Sequence, residues 1–111
     1  MRAGDIFQVD FGDPVGSEPG FVRPALIVTS DLILDRNPKI IHVVPITSNI
    51  GQALPTEILL DDVALPKASA AQVHLCTAVS PDRFTSARQG NVGPATLAQV
   101  RSILADLLDI P

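Results

Sequence analysis

Apolar and polar residues alternate from Asp5 to Phe11, with Phe7, Val9 and Phe11 on one face and Gln8 and Asp10 on the other. That period predicts a half-buried strand. A loop follows, Gly16-Ser17-Glu18-Pro19-Gly20-Phe21-Val22-Arg23-Pro24. Its glycines allow unusual backbone angles, while Pro19 and Pro24 fix φ and push the preceding residue toward extended geometry, so the loop is expected to be ordered. Arg23 to Thr29 or Ser30 is apolar on both faces and predicts a central strand. Asp31 to Pro38 is polar, with room for a helical turn that Asn37-Pro38 ends. Lys39 to Thr47 is the third strand, and Pro45 inside it predicts a strand end, an edge or a bulge, because proline donates nothing to a ladder. Ser48 to Pro55 is a loop, Thr56 to Leu60 a short fourth strand, and Asp61-Asp62 opens another connection. Ala70 to Ser80 reads as one long fifth strand, Pro81 to Phe84 as a turn, and Thr85 to Val92 as a weak strand or loop.

The period then changes. Leu97, Val100, Ile103, Leu104, Leu107 and Leu108 recur at helical spacing, with Gly93 at the N-cap and Pro94 at the first helical position. A leucine stripe of this kind is expected to be core, and burying all six side chains would contribute about 10 kcal/mol before entropy. Short strands with one terminal helix predict a single mainly β (α+β) domain over residues 1–111. Its architecture is a small, largely antiparallel β-barrel or strongly curved sheet with the C-terminal α-helix across it.

Composition narrows the function. The chain is 46% hydrophobic and 18% charged, enough for a real core, yet it has four Phe and neither Trp nor Tyr. An aromatic platform that stacks several bases has almost nothing to work with. Eight basic against twelve acidic residues give a net charge of −4, so any polyanion contact must be local. Cys76 is alone, and no apolar leader or membrane span is apparent, which reads as a cytoplasmic protein without a membrane partner.

Arg23 stands at the mouth of the apolar run Ala25 to Val28, where a fixed guanidinium would grip a phosphate or carboxylate; it would equally suit a structural ion pair with Glu18 or Asp13. His42 and His74 are the only histidines, with no metal-ligand spacing, no phosphate-binding glycine loop and no nucleophile elbow. Regular pleating sets His42 on the face opposite Thr47, unless a bulge at Pro45 reverses it. His74 falls on the more polar face of its strand, the place of a solvated or hydrogen-bonded imidazole. Thr47, Ser48 and Asn49 at a strand end are residues that commonly bond the local backbone.

Several segments recur in order: Gly4-Asp5-Ile6, Val9-Asp10-Phe11, Gly16-Ser17-Glu18, Arg23-Pro24-Ala25-Leu26-Ile27-Val28, Val44-Pro45-Ile46-Thr47-Ser48-Asn49 and Pro55-Thr56-Glu57. Weaker echoes follow in Leu65-Pro66-Lys67, Ser69, Asp82-Arg83 and the C-terminal helix. Together they resemble the MazF/PemK family of toxin endoribonucleases, the mRNA interferases. The resemblance implies an SH3-like barrel, a homodimer, a cognate antitoxin protein as partner, and sequence-specific cleavage of single-stranded RNA (mRNA) with no metal and no other cofactor. It implies catalytic roles for Arg23, Thr47 and Glu18, and substrate contacts from Ser17, Ser48 and Asn49. Arg23 would neutralise the transition-state phosphate, Thr47 hold a phosphate oxygen, and Glu18 orient Arg23 or accept the 2′ proton. The products would be a 2′,3′-cyclic phosphate and a 5′-hydroxyl. The alternative is a non-catalytic barrel that inhibits a protein such as a topoisomerase, which needs neither Arg23 nor Thr47. In two places the chain departs from many relatives. Pro19 and Phe21 replace a glutamine and a glycine, and Leu75-Cys76-Thr77 stands where relatives often read Gln-Ile-Arg.

Overall fold

The computed structural model of the chain describes residues 1–51, 54–61 and 65–111. Part of the predicted loop over 48–55 and the connection beginning at Asp61-Asp62 therefore lie outside the described residues. The strands are β1 (Asp5–Asp10), β2 (Val22–Ile27), β3 (Ile41–Thr47), β4 (Glu57–Leu60), β5 (Ser69–Gln72), β6 (Thr77–Val79) and β7 (Gly90–Asn91). A single-turn helix, α1 (Asp31–Leu34), joins β2 to β3, and the long helix α2 (Gly93–Leu107) ends the fold. All strand pairs are antiparallel, in the order β4-β5-β3-β2-β1-β7, with β6 also on β3. The sheet curls into a half-barrel, as its seven short strands and strong twist favour.

Its two faces carry two apolar clusters. Ile6, Leu26, Val44 and Ile46 pack with Ala71, Val73 and Val100 of α2, while Val9, Ala25, Ile27 and Val43 pack with Leu34, Ile41 and Val79 on the other side. β1 sends buried side chains to both faces, Ile6 into the cluster of Val100 and Val9 into the other, while Phe7, Gln8 and Asp10 are half-buried and Gln8 lines an open cleft. α2 itself is buried less than its stripe suggests. Val100 is fully buried and Leu97, Ile103 and Leu104 partly so, but Leu107 and Leu108 remain 47% and 67% exposed.

Pro45 ends nothing. It lies inside β3, and the register with β2 continues through it, Ala25 facing Pro45 and Leu26 facing Val44. The Val28 amide donates to the His42 carbonyl, so the even residues of β3 bond to β2 and the odd ones point to the opposite edge. There Pro45 offers no N–H, and at that point β3 changes partner, from β6 at residues 41–43 to β5 at residues 46–47. The predicted strand from Ala70 to Ser80 breaks for the same reason. Ile46 faces Ala71 and Val43 faces Thr77, and the extra residues are taken up by a 3-10 turn, Val73–Leu75.

Asp5 ties the N-terminus to β7. Only 1% exposed, its carboxylate accepts from the Arg2 amide, Arg88 Nε at 2.7 Å and Asn91 Nδ2 at 3.0 Å. Burial alone would raise its pKa, but Arg88, Asn91 and the Arg2 amide together hold it below the usual carboxylate range.

Candidate active site

The loop between β1 and β2 is pinned at its base. The Phe11 amide donates to the Phe21 carbonyl, and the Phe21 amide donates to the Gly12 carbonyl. At Gly20 any Cβ would run into the Pro14 ring. Phe21 holds φ at +58°, the left-handed region that costs a bulky residue, and it is 67% exposed. The chain then enters β2 with Arg23 as its second residue.

Carried one position beyond Ala25 and Pro45, the β2–β3 register sets Pro24 opposite Ile46, and one further sets Arg23 opposite Thr47. The alternation fixed by Val28 and His42 aims the residue-24 nitrogen at the Ile46 carbonyl. Proline has no hydrogen there, so that carbonyl is left open. Arg23 fills it. Its Nε and Nη2 donate to Ile46 O at 3.3 and 3.2 Å, and Nη2 also donates to Oε1 of Gln72 at 2.6 Å. Neither Nη1 proton has a partner among the described residues. Burial draws the Arg23 pKa below its ordinary value, yet a guanidinium starts high enough to stay charged.

Arg23 lines a cleft of about 350 Å³ together with Thr47 and Ser48. Val22 and Pro24 supply an apolar wall, and Leu65, Pro66, Lys67 and Ser69 stand in the same lining. Two cations, Arg23 and Lys67, thus flank one cavity in a chain of net charge −4. Among the described residues the ion pairs are Arg2–Asp31 and Arg88–Asp5, so Arg23 is not consumed by Glu18 or Asp13. Thr47 Oγ1 accepts the Asn49 amide at 3.1 Å, which orients the hydroxyl and leaves its proton to donate. His42 is exposed and does not line the cleft.

The other candidates stand apart. Glu18 Oε1 accepts the Val15 amide within its own loop at 2.8 Å and lines a different depression, with Phe11, Asp13 and Arg83. Ser17 faces His74 and Cys76 across a third. Glu18, expected to orient Arg23 or accept the 2′ proton, bonds within its own loop here, and it is the Ile46 carbonyl and Gln72 that hold the guanidinium. Asn49 contributes its backbone amide to Thr47, and its side chain is not in the cleft lining. Leu75-Cys76-Thr77 carries no glutamine, and the amide that reaches Arg23 comes instead from Gln72, three residues earlier on β5. Its one signal in the sequence is a lone amide within the apolar run Ala70-Ala71-Gln72-Val73. The Cys76 thiol is half-buried, and burial raises its pKa. His74 Nδ1 meets the Thr56 hydroxyl at 2.8 Å. Among the described residues no three His, Cys, Asp or Glu side chains gather where they could share a metal ion.

The chain is 35% identical to endoribonuclease MazF9 of Mycobacterium tuberculosis over 118 aligned residues, spanning 99% of this chain and 98% of that protein. Endoribonuclease EndoA of Bacillus subtilis is 39% identical over 62 residues, about half of each chain at 55% and 53%. The crystal structure of MazF from Deinococcus radiodurans superposes with a TM-score of 0.81 at 25% identity, covering 98% of this chain and 96% of that one. The family model of the PemK-like, MazF-like toxins of type II toxin-antitoxin systems matches residues 2–108. With nearly its whole length matched, this chain belongs to the PemK/MazF toxin family.

Proposed function

We propose that the chain is a ribonuclease toxin that cleaves single-stranded RNA at short sequence motifs, in the cytoplasm and as a homodimer, until a cognate antitoxin protein covers its cleft. The observation that carries this reading is the convergence of Arg23 and Thr47 on one open cleft. Relatives named endoribonucleases, one of them alignable over the whole chain, support the same chemistry.

The reaction needs no nucleophile from the protein. The ribose 2′-oxygen attacks the adjacent phosphorus, the bond to the 5′-oxygen breaks, and that oxygen leaves, taking a proton from solvent. A 2′,3′-cyclic phosphate and a 5′-hydroxyl result. The negative charge that builds on the phosphoryl oxygens is met by the free Nη1 edge of Arg23 and by the Thr47 hydroxyl, donors fixed before the substrate arrives. Lys67 adds a second positive charge along the RNA backbone. None of the described residues that line the cleft is a carboxylate or imidazole, and in this reading the 2′ proton is given up to solvent.

Incubation of the purified protein with long single-stranded RNA in EDTA tests this reading. Fragments with 5′-hydroxyl ends are expected, and Arg23→Ala should abolish them, since losing one such donor costs about 10² to 10³ in rate. Intact RNA across many sequences, with growth arrest retained on expression, would favour a toxin that acts on a protein.

A further inference from the structure

We propose that Gln72 is a positioning residue for Arg23: with the Ile46 carbonyl, its side-chain carbonyl clamps the guanidinium in one orientation, so that Nη1 alone faces the scissile phosphate. This rests on the ribonuclease reading above.

A guanidinium has five N–H donors and no acceptor, so the Gln72 atom 2.6 Å from Nη2 must be its carbonyl oxygen. Nε and both protons of Nη2 are then committed, to Ile46 O at 3.3 and 3.2 Å and to Gln72. What remains is a single nitrogen whose direction is set by two carbonyls on two different strands, β3 and β5. The chemistry of the clamp matters as much as its geometry. A carboxylate here would fix Arg23 equally well but cancel its charge, whereas an amide orients the cation and leaves that charge for the phosphate. Gln72 is the last residue of β5, held by its register opposite Glu57 and followed by fully buried Val73, so its backbone is fixed.

Two measurements test the clamp. In the full-length protein, NMR of the arginine side chains should show Arg23 Nη2 protons as resolved signals, slowed in rotation about Cζ–Nη2. Averaged Nη signals in the wild type would overturn the clamp, whatever any variant does. In RNA cleavage, Gln72→Met should lower kcat about 10²-fold while leaving KM within about threefold, because misaligned reacting groups cost rate more than binding. Gln72→Glu should keep the resolved Nη2 signals but raise KM about tenfold or more and flatten its salt dependence, since a cation is cancelled. Wild-type kcat in Gln72→Met, alongside an inactive Arg23→Ala, would refute the clamp and leave the ribonuclease reading standing. Resolved Nη2 signals in a wild type that cuts no RNA would do the reverse: the clamp would stand as structure while its catalytic purpose fell with the ribonuclease reading.

Discussion

Pro24 lies across from Ile46, and the hydrogen that proline lacks is the reason the Ile46 carbonyl is available to Arg23. A strand residue that would elsewhere be a flaw frees an acceptor beside the candidate catalytic cation. Pro24→Ala would restore an N–H aimed at that carbonyl, and the two donors would compete. Stability should stay within about 1 kcal/mol, a ladder bond gained against proline's restraint on the unfolded chain lost. Cleavage should fall about tenfold as Arg23 loosens, short of the loss expected when the guanidinium is removed. Unchanged cleavage in Pro24→Ala would show that Gln72 alone suffices to hold it.

Thr47 divides hydroxyl chemistry from shape. Its Oγ1 is already an acceptor for the Asn49 amide, so its useful contribution to a phosphate is the proton. Thr47→Val keeps the branched outline and removes that donor; Thr47→Ser keeps the donor and drops a methyl. The valine variant should lose about 10²-fold in kcat and the serine variant less than about tenfold, in steady-state cleavage of a short RNA. Equal losses in the two variants would assign Thr47 to packing.

Much of this was readable from residue order. The alternation along β1, the apolar run of β2 and the helical stripe of α2 gave the sheet and the helix because each reports local periodicity. The motifs around Arg23 and Thr47 marked the two residues that share the cleft. What escaped depends on tertiary pairing. Of the three readings open for Pro45, a strand end, an edge or a bulge, the unpaired edge is the one that fits, and sequence does not say which edge that is; Ala70 to Ser80 reads as continuous because the partner change that splits it belongs to β3. The contact of Gln72 with Arg23 spans 49 residues and leaves no local signal, and the bond of Glu18 to the Val15 amide is likewise invisible to a motif. Leu107 and Leu108 carry the right period yet stay exposed, because period reports which face a residue shares and not whether anything packs against it.

Asp5 makes the fold sensitive to acid. Its pKa is about 3.9 in the unfolded chain and lies lower in the folded one, so the ionised form favours folding. That contribution is complete above about pH 4 and is lost as the pH falls through the folded value. Asp5→Asn should cost about 1 to 2 kcal/mol at pH 7: Arg88 is exposed enough for water to take up its charge, but the charge-assisted hydrogen bonds to the buried carboxylate are lost. Its urea midpoint should also vary less than the wild type's between pH 5 and pH 2. Parallel pH profiles for the two proteins would remove Asp5 as the titrating group.

Glu18 is the sharpest point of disagreement between motif and geometry. Its carboxylate accepts the Val15 amide and lines a depression apart from the one that Arg23 and Thr47 share. Glu18→Gln preserves an acceptor for that amide and removes only the charge, so the loop should keep its shape. Cleavage should then remain within about threefold of wild type, far from the 10² to 10⁴ that a general base contributes. The pH–rate profile distinguishes the cases further. A base at Glu18 would impose an acid limb that the glutamine variant loses, whereas a structural Glu18 leaves both limbs unmoved. A loss of about 10² together with a vanished acid limb would mean that the Gly12 to Gly20 loop swings its carboxylate to the 2′-hydroxyl when RNA binds.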